Sequence, residues 1–204
     1  CCFLSYACGA AYADWAGLRP MTELEFEKAC RGPLNPVANE YAWGSTTVTA
    51  VTNFFGTDGS GMETALPANA NCCYNNIATV GGPVRCGLFA TTSSTRTSSG
   101  ATYWGIMELN GNMWDLVIVL GNTAGRCFSG LHGDGKLDVS GNANVTGWPG
   151  IDAIGNGFRG GSYSDGSVLM RVSDRSYSGN WTDASTNRLI GYRAVRTVPM
   201  GIIP

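Results

Sequence analysis

Glycine supplies 29 of the 204 residues, about twice its usual share of roughly 7%, and this excess constrains the fold more than any other feature. A residue without Cβ weakens helices and strands but reaches φ > 0 at no steric cost. The glycines are scattered without a triplet period, which excludes collagen. They call for turns, short strands and long ordered loops. Hydrophobic residues make up 44% of the chain and charged residues 14%, against an average charged share of about 25%. The chain therefore has apolar surface enough to fold, and its length suits one domain with a substantial core. No internal repeat or linker divides it, so 1–204 reads as a single domain.

The formal charge is −2, and Lys and Arg form no run. A phosphate-neutralising surface needs clustered cations, so no nucleic-acid partner is expected. No apolar stretch approaches the ~20 residues that span a bilayer, so no membrane insertion is expected. Asp115–Gly121 is too short for that and reads as a buried strand. Eight cysteines occur, with Cys1/Cys2 and Cys72/Cys73 adjacent and Cys8, Cys30, Cys86 and Cys127 alone. None forms Cys-x-x-Cys, and the one histidine, His132, has no second ligand at metal spacing. Buried thiols are the expectation, with some disulfides left open.

Two helices open the chain. Phe3, Leu4, Ala7, Ala11, Tyr12 and Trp15 recur at helical spacing up to Gly17. Thr22-Glu23-Leu24-Glu25 has the form of a capping box, with Lys28 and Arg31 near the end and Gly32 as C-cap. Residues 33–103 are loop-rich, and a loop stretch that long is usually functional or packed by its own side chains. Strand-like segments follow at Tyr103–Met107, Met113–Leu120, Gly157–Gly160, Val168–Val172 and Tyr192–Val198.

Five ordered segments resemble the formylglycine-generating enzyme (sulfatase-modifying factor) family. Leu18–Glu27 resembles its "RLPTEAEWE" helix, Tyr41–Gly44 its "YPWG", and Trp104–Asp115 its "GLYDMLGNVWEW". Phe158–Tyr163 resembles "RGGSW", and Gly191-Tyr192-Arg193 the closing "GFR". The resemblance runs from about residue 3 to about residue 196. It implies an α+β, C-type-lectin-like fold with two helices near the N-terminus, short strands, long ordered loops and little regular secondary structure. Relatives have more sequence before the first helix, so the chain is expected to be the C-terminal part of a longer one, with oligomers possible through that region. The family's oxidases carry two copper-binding cysteines shortly after "RGGS", where a soft thiolate ligand and nucleophile is needed. Here that stretch is Ser164–Arg171, without cysteine. The related iron-dependent sulfoxide synthases need several histidines, and this chain has one. No catalytic residue, metal ligand or cofactor is expected, although relatives often bind calcium at ligands unknown here.

The layout also resembles the variable proteins of diversity-generating retroelements, which use the same fold and rewrite a C-terminal segment between "RGGS" and "GFR". Phe158 to Arg193 (158–193) would be that segment. Randomising adenines of AAC codons gives N-N-pyrimidine codons, which exclude Met, Trp, Lys, Gln and Glu. Tyr163–Ser167, Ser173–Asn180 and Thr182–Arg188 contain none of the five. These runs have the Tyr, Ser, Gly and Asn composition of antibody binding loops. Candidate ligand contacts are Tyr163, Ser164, Asp165, Ser167, Asp174, Ser176, Tyr177, Ser178, Asn180, Asp183, Ser185 and Asn187, with Tyr177 as anchor. Trp181 is either a fixed contact beside it or a core residue. The implied activity is non-enzymatic recognition of a protein or glycan on a target cell, from a phage tail or bacterial surface. A lapsed oxidase, or an invariant carbohydrate-binding or structural relative, are the alternatives.

Other signals carry less. Arg159, Arg171, Arg175 and Arg193 form either an anion-binding strip or, as expected, scaffold pairs with acids and loop carbonyls. His132–Asp138 lacks the order of a calcium loop and reads as a tight turn. Asn144-Val145-Thr146 and Asn180-Trp181-Thr182 match the glycosylation sequon, and a lone histidine supports no Ser–His–Asp set.

Overall fold

The computed structural model describes residues 2–178 and 184–198. Helix α1 runs Tyr6–Trp15, and strand β1, Arg19–Pro20, leads into helix α2, Glu23–Arg31. A hairpin of β2 (Asn53–Phe55) and β3 (Thr64–Leu66) interrupts the long loop region. Strand β4 (Trp114–Ile118) is followed by the short helix α3 (Thr123–Arg126), β5 (Asn156–Arg159), a 3-10 turn at Ser167–Met170, β6 (Ile190–Gly191) and β7 (Ala194–Val195). The result is a small mixed fold of few helices and short strands. Eighteen of the described glycines have positive φ, the conformational use that the composition implies.

At α2 the caps act as the sequence requires. The Thr22 hydroxyl accepts from the Glu25 N–H, the Glu25 carboxylate accepts from the Thr22 N–H, and Gly32 closes the helix at φ 63°. At α1 the helix is real but the expected face is wrong. Tyr6, Gly9, Ala10, Ala13 and Asp14 are buried, whereas Tyr12 and Trp15 stand in solvent. The reason is close approach: a Cβ on Gly9 would lie 2.3 Å from the Tyr192 ring, so the face with the least side chain is the one that docks.

Strand β4 organises the core. It pairs antiparallel with β5 and parallel with β6. Trp114, Leu116 and Ile118 enter one apolar cluster with Tyr6, Phe158 and Ile190, while Val117 and Val119 enter another with Phe26, Trp43, Leu109 and Met170. Burial on both faces explains why the segment reads as an unbroken apolar run. At Gly160 (φ 90°), a Cβ would meet the Leu109 carbonyl oxygen at 2.4 Å, so the glycine lets two backbone segments cross below the end of β5.

Elsewhere, side chains replace sheet ladders. Asn112 accepts from the Val84 N–H and donates to its carbonyl, and Arg96 donates to the carbonyls of Cys30 and Ala42. Such bonds satisfy loop backbone that would otherwise be buried unpaired. Two expected strands are absent. Tyr103–Met107 is a turn because the Thr102 hydroxyl accepts from the N–H groups of Trp104 and Ile106. Most of Val168–Val172 falls in the 3-10 turn, whose Leu169 N–H reaches back to the Gly166 carbonyl. Of Tyr192–Val198, only Ala194–Val195 is strand, paired with β1.

Candidate functional site

The segment between β5 and β6 is anchored by charge. Arg159, fully buried at the end of β5, reaches Glu23 at 3.2 Å and Glu27 at 3.1 Å, donates to the Val172 carbonyl, and lies 5.1 Å from the Phe26 ring centre. Glu23 also accepts from the Leu120 N–H and pairs with Arg175 at 2.8 Å. Arg193 pairs with Asp115 at 2.9 Å and donates to the carbonyls of Met107 and Glu108. These three arginines are scaffold, and an anion-binding strip does not form from them.

Three candidates far apart in the chain meet in space. Asp165, Tyr177 and Asn187 line one cleft of about 210 Å³, together with Trp114, Phe158, Leu189 and Ile190. Trp114 and Phe158 are held by the sheet, with ring centres 6.3 Å apart, and Tyr177 meets Trp114 edge-on at 5.2 Å. The Phe158 N–H donates to the Tyr177 carbonyl, which fixes the Tyr177 backbone beside β5. Asp165 accepts from the Ser162 N–H and hydroxyl through Oδ2, and Asn187 accepts from the Leu189 N–H through Oδ1. Among the described residues no hydrogen bond engages Asp165 Oδ1, the Asn187 amide nitrogen or the Trp114 indole N–H. The cleft thus sets Asp165 and Asn187 beside an aromatic floor.

Ser164 and Ser167 are half-buried, and Ser176 and Ser185 are exposed. Asp174 folds its own turn by accepting from the Ser176 N–H and hydroxyl. Two candidates need correction. Tyr163 is packed in the cluster with Val51, Cys73 and Phe89, and Ser178 is buried with its hydroxyl on the Arg175 carbonyl. Both support the surface from below because the chain turns inward at each. Asn180, Trp181 and Asp183 lie outside the described residues. The residues that line the cleft with the candidates, Trp114, Phe158, Leu189 and Ile190, were not foreseen there; the alternation along β4, which sets Trp114 on the face of Leu116 and Ile118, was the available signal.

The residues do not fit the metal sites that the resemblance implies. No thiol stands in Ser164–Arg171. Among the described residues Cys30, Cys72 and Cys73 are buried free thiols, whereas Cys8, Cys86 and Cys127 are exposed, against the expectation of burial. Desolvation pushes the thiols of Cys30, Cys72 and Cys73 upward, which disfavours the thiolate that binds metal or attacks. His132 accepts from the Thr197 N–H through Nε2. Asp134 and Asp138 accept from the backbone of their own turns, and among the described residues no three His, Cys, Asp or Glu side chains converge as a metal cluster.

Comparison with known proteins adds two findings. The model of the sulfatase-modifying factor enzyme 1-like domain matches residues 3–198. Hercynine oxygenase of Mycolicibacterium thermoresistibile is 38% identical over 73 residues, a stretch covering 34% of this chain and only 16% of that protein.

Proposed function

The chain belongs to the sulfatase-modifying factor enzyme 1-like domain family, and we propose that within it this member is a non-enzymatic binding domain whose segment 158–193 is an interchangeable recognition surface. One observation carries the reading: Asp165, Tyr177 and Asn187, separated along the segment, line a single cleft over a floor supplied by the sheet. Such a division keeps the backbone while contact side chains change. The cleft is smaller than the about 300–1,000 Å³ usual for small-molecule sites, so it suits one protruding side chain or sugar ring of a larger surface. A protein or glycan on a target cell fits that demand, presented to a chain carried on a phage tail or bacterial surface. On this reading the fold is C-type-lectin-like and the segment is the variable part of a diversity-generating retroelement protein; the loop-rich architecture and the absence of Met, Trp, Lys, Gln and Glu from Tyr163–Ser167, Ser173–Asn180 and Thr182–Arg188 support it.

A direct test is to randomise Ser164, Ser167, Ser176, Tyr177, Ser185 and Asn187 in a displayed library and select against unrelated proteins and glycans. Folded binders to several targets are expected. A library that loses its thermal unfolding transition would contradict the proposal.

A second reading, an oxidase of the family, is favoured by the likeness to an enzyme named as an oxygenase. It requires metal donors that this segment lacks. Stoichiometric uptake of copper(I) or iron(II), with oxidation of a substrate thiol, would establish it over the binding reading.

A further inference from the structure

A second hollow, of about 600 Å³, lies between α2, β7 and the Tyr103–Met107 turn, and it shares no residue with the cleft of Tyr177. Glu25, Lys28 and Ala29 line it from α2, and their spacing of i, i+3 and i+4 puts them on one face of the helix. Met21 and Leu109, both buried, line it too. Ala29 and Ala194 add only a methyl group each, which leaves the hollow open. The turn contributes Ile106 and Trp104. Trp104 is 60% exposed, yet its ring is held edge-on against Tyr103 at 4.9 Å, and the Arg96 guanidinium lies 5.7 Å from the Tyr103 ring centre. Val195 completes the lining from β7, which its pairing with Arg19 and Pro20 keeps in place.

The charges that line this hollow do not balance. Glu25 is committed to the Arg19 guanidinium and the Thr22 N–H, and Arg193 to Asp115 and two carbonyls. Lys28 and Arg196 are left over. Among the described residues neither side chain enters a hydrogen bond or ion pair. We propose that the hollow binds a small amphipathic carboxylate, an alkyl or aryl chain ending in one acid group. The chain lies along Met21, Ile106, Leu109 and Val195 beside Trp104, and the carboxylate meets Lys28 and Arg196. The volume falls within the about 300–1,000 Å³ of small-molecule sites, which are mostly apolar with a few placed polar groups. A neutral chain would cover two cations without pairing them, at a cost in lost solvation. A sugar would bring hydroxyls to a wall whose one carboxylate already has its donors. A nucleic acid needs a longer row of cations than two. An apolar body with one anionic end answers both the lining and the unpaired charge, and the Arg196 fork can hold a carboxylate by two parallel bonds.

The test is calorimetric titration of this chain with sodium decanoate below its micellar concentration, beside decan-1-ol as the neutral analogue. Saturable one-to-one binding of decanoate is expected, at least tenfold tighter than that of the alcohol. The double substitution Lys28→Gln with Arg196→Gln, at two exposed positions, should remove that preference without altering the thermal midpoint or the weak binding of the alcohol. Ala29→Leu, which fills the hollow, should weaken both compounds. Tyr177→Ala should change neither, which keeps this site separate from the cleft. Absence of saturable binding, equal affinity for acid and alcohol, or a preference that survives the double substitution overturns the proposal. Binding seen only after residues 199–204 are removed overturns it too, in favour of the chain's own end as the occupant.

Discussion

Arg159 and Glu23 hold the segment to α2 from opposite ends of the chain, and both are almost wholly buried. Removing Arg159 leaves Glu23 with only the half-exposed Arg175 and takes a donor from Glu27 and the Val172 carbonyl, and breaking a buried pair costs about 3–5 kcal/mol where no partner remains. Arg159→Met should therefore lower the urea midpoint sharply, while Arg175→Ala, whose side chain is half exposed, should shift it far less. Equal effects would remove the distinction between the buried and the half-exposed partner of Glu23. Glu108 makes a different prediction. Burial pushes its carboxyl up to about 7, and Asp115 up to about 6 for the same reason despite Arg193. Both values stand above those of the unfolded chain, about 4.3 and 3.9, so between them the folded state holds the extra protons. These groups then stabilise the fold fully at low pH, and that contribution is lost as pH rises through 6 to 7. The thermal midpoint should rise on going from pH 8 to pH 5.5, and Glu108→Gln should raise it at pH 8 and flatten the slope. The arginines were legible as scaffold because a chain poor in ladders needs donors for its carbonyls. The two raised carboxyls were not legible, since burial depends on neighbours that no local spacing reveals.

Among the elements, α2 was readable in detail because its caps are local chemistry. Thr22→Ala breaks the capping box and should cost about 0.5–2 kcal/mol, measured by denaturant melts; a neutral result would mean that packing alone sets the helix start. In α1 the spacing identified a helix but not its inner face, since an apolar residue at either face gives the same period. Gly9 decided the matter through its contact with Tyr192, a residue 183 positions away. β4 was visible as a run of apolar residues, whereas Val168–Val172 carried the same composition and became a 3-10 turn after Gly166. Short apolar runs do not separate these states, and tertiary packing chooses.

For the whole molecule, scaffold and surface divide the segment between them. The motifs that bound it, Phe158–Ser162 and Gly191–Arg193, enter the sheet and its ion pairs. Between them, Tyr163, Met170, Val172 and Ser178 point inward, and Asp165, Tyr177 and Asn187 turn toward the cleft. Composition and the bounding motifs singled out 158–193 in the sequence, but not the convergence of Asp165, Tyr177 and Asn187, because convergence follows from the path of the loops over β4 and β5. Tyr177→Ala should abolish capture of a selected target without changing the thermal midpoint by more than a few degrees, read by surface plasmon resonance beside calorimetry. The central claim, that the surface is interchangeable on a fixed scaffold, is tested most directly by deep sequencing of the gene's 3′ end and flanks across a natural population. The account predicts adenine-templated substitutions at Ser164, Ser167, Ser176, Tyr177, Ser185 and Asn187, constancy at Arg159, Tyr163 and Ser178, and a near-copy of the segment beside a reverse transcriptase. A segment as invariant as Thr22–Gly32 would contradict it.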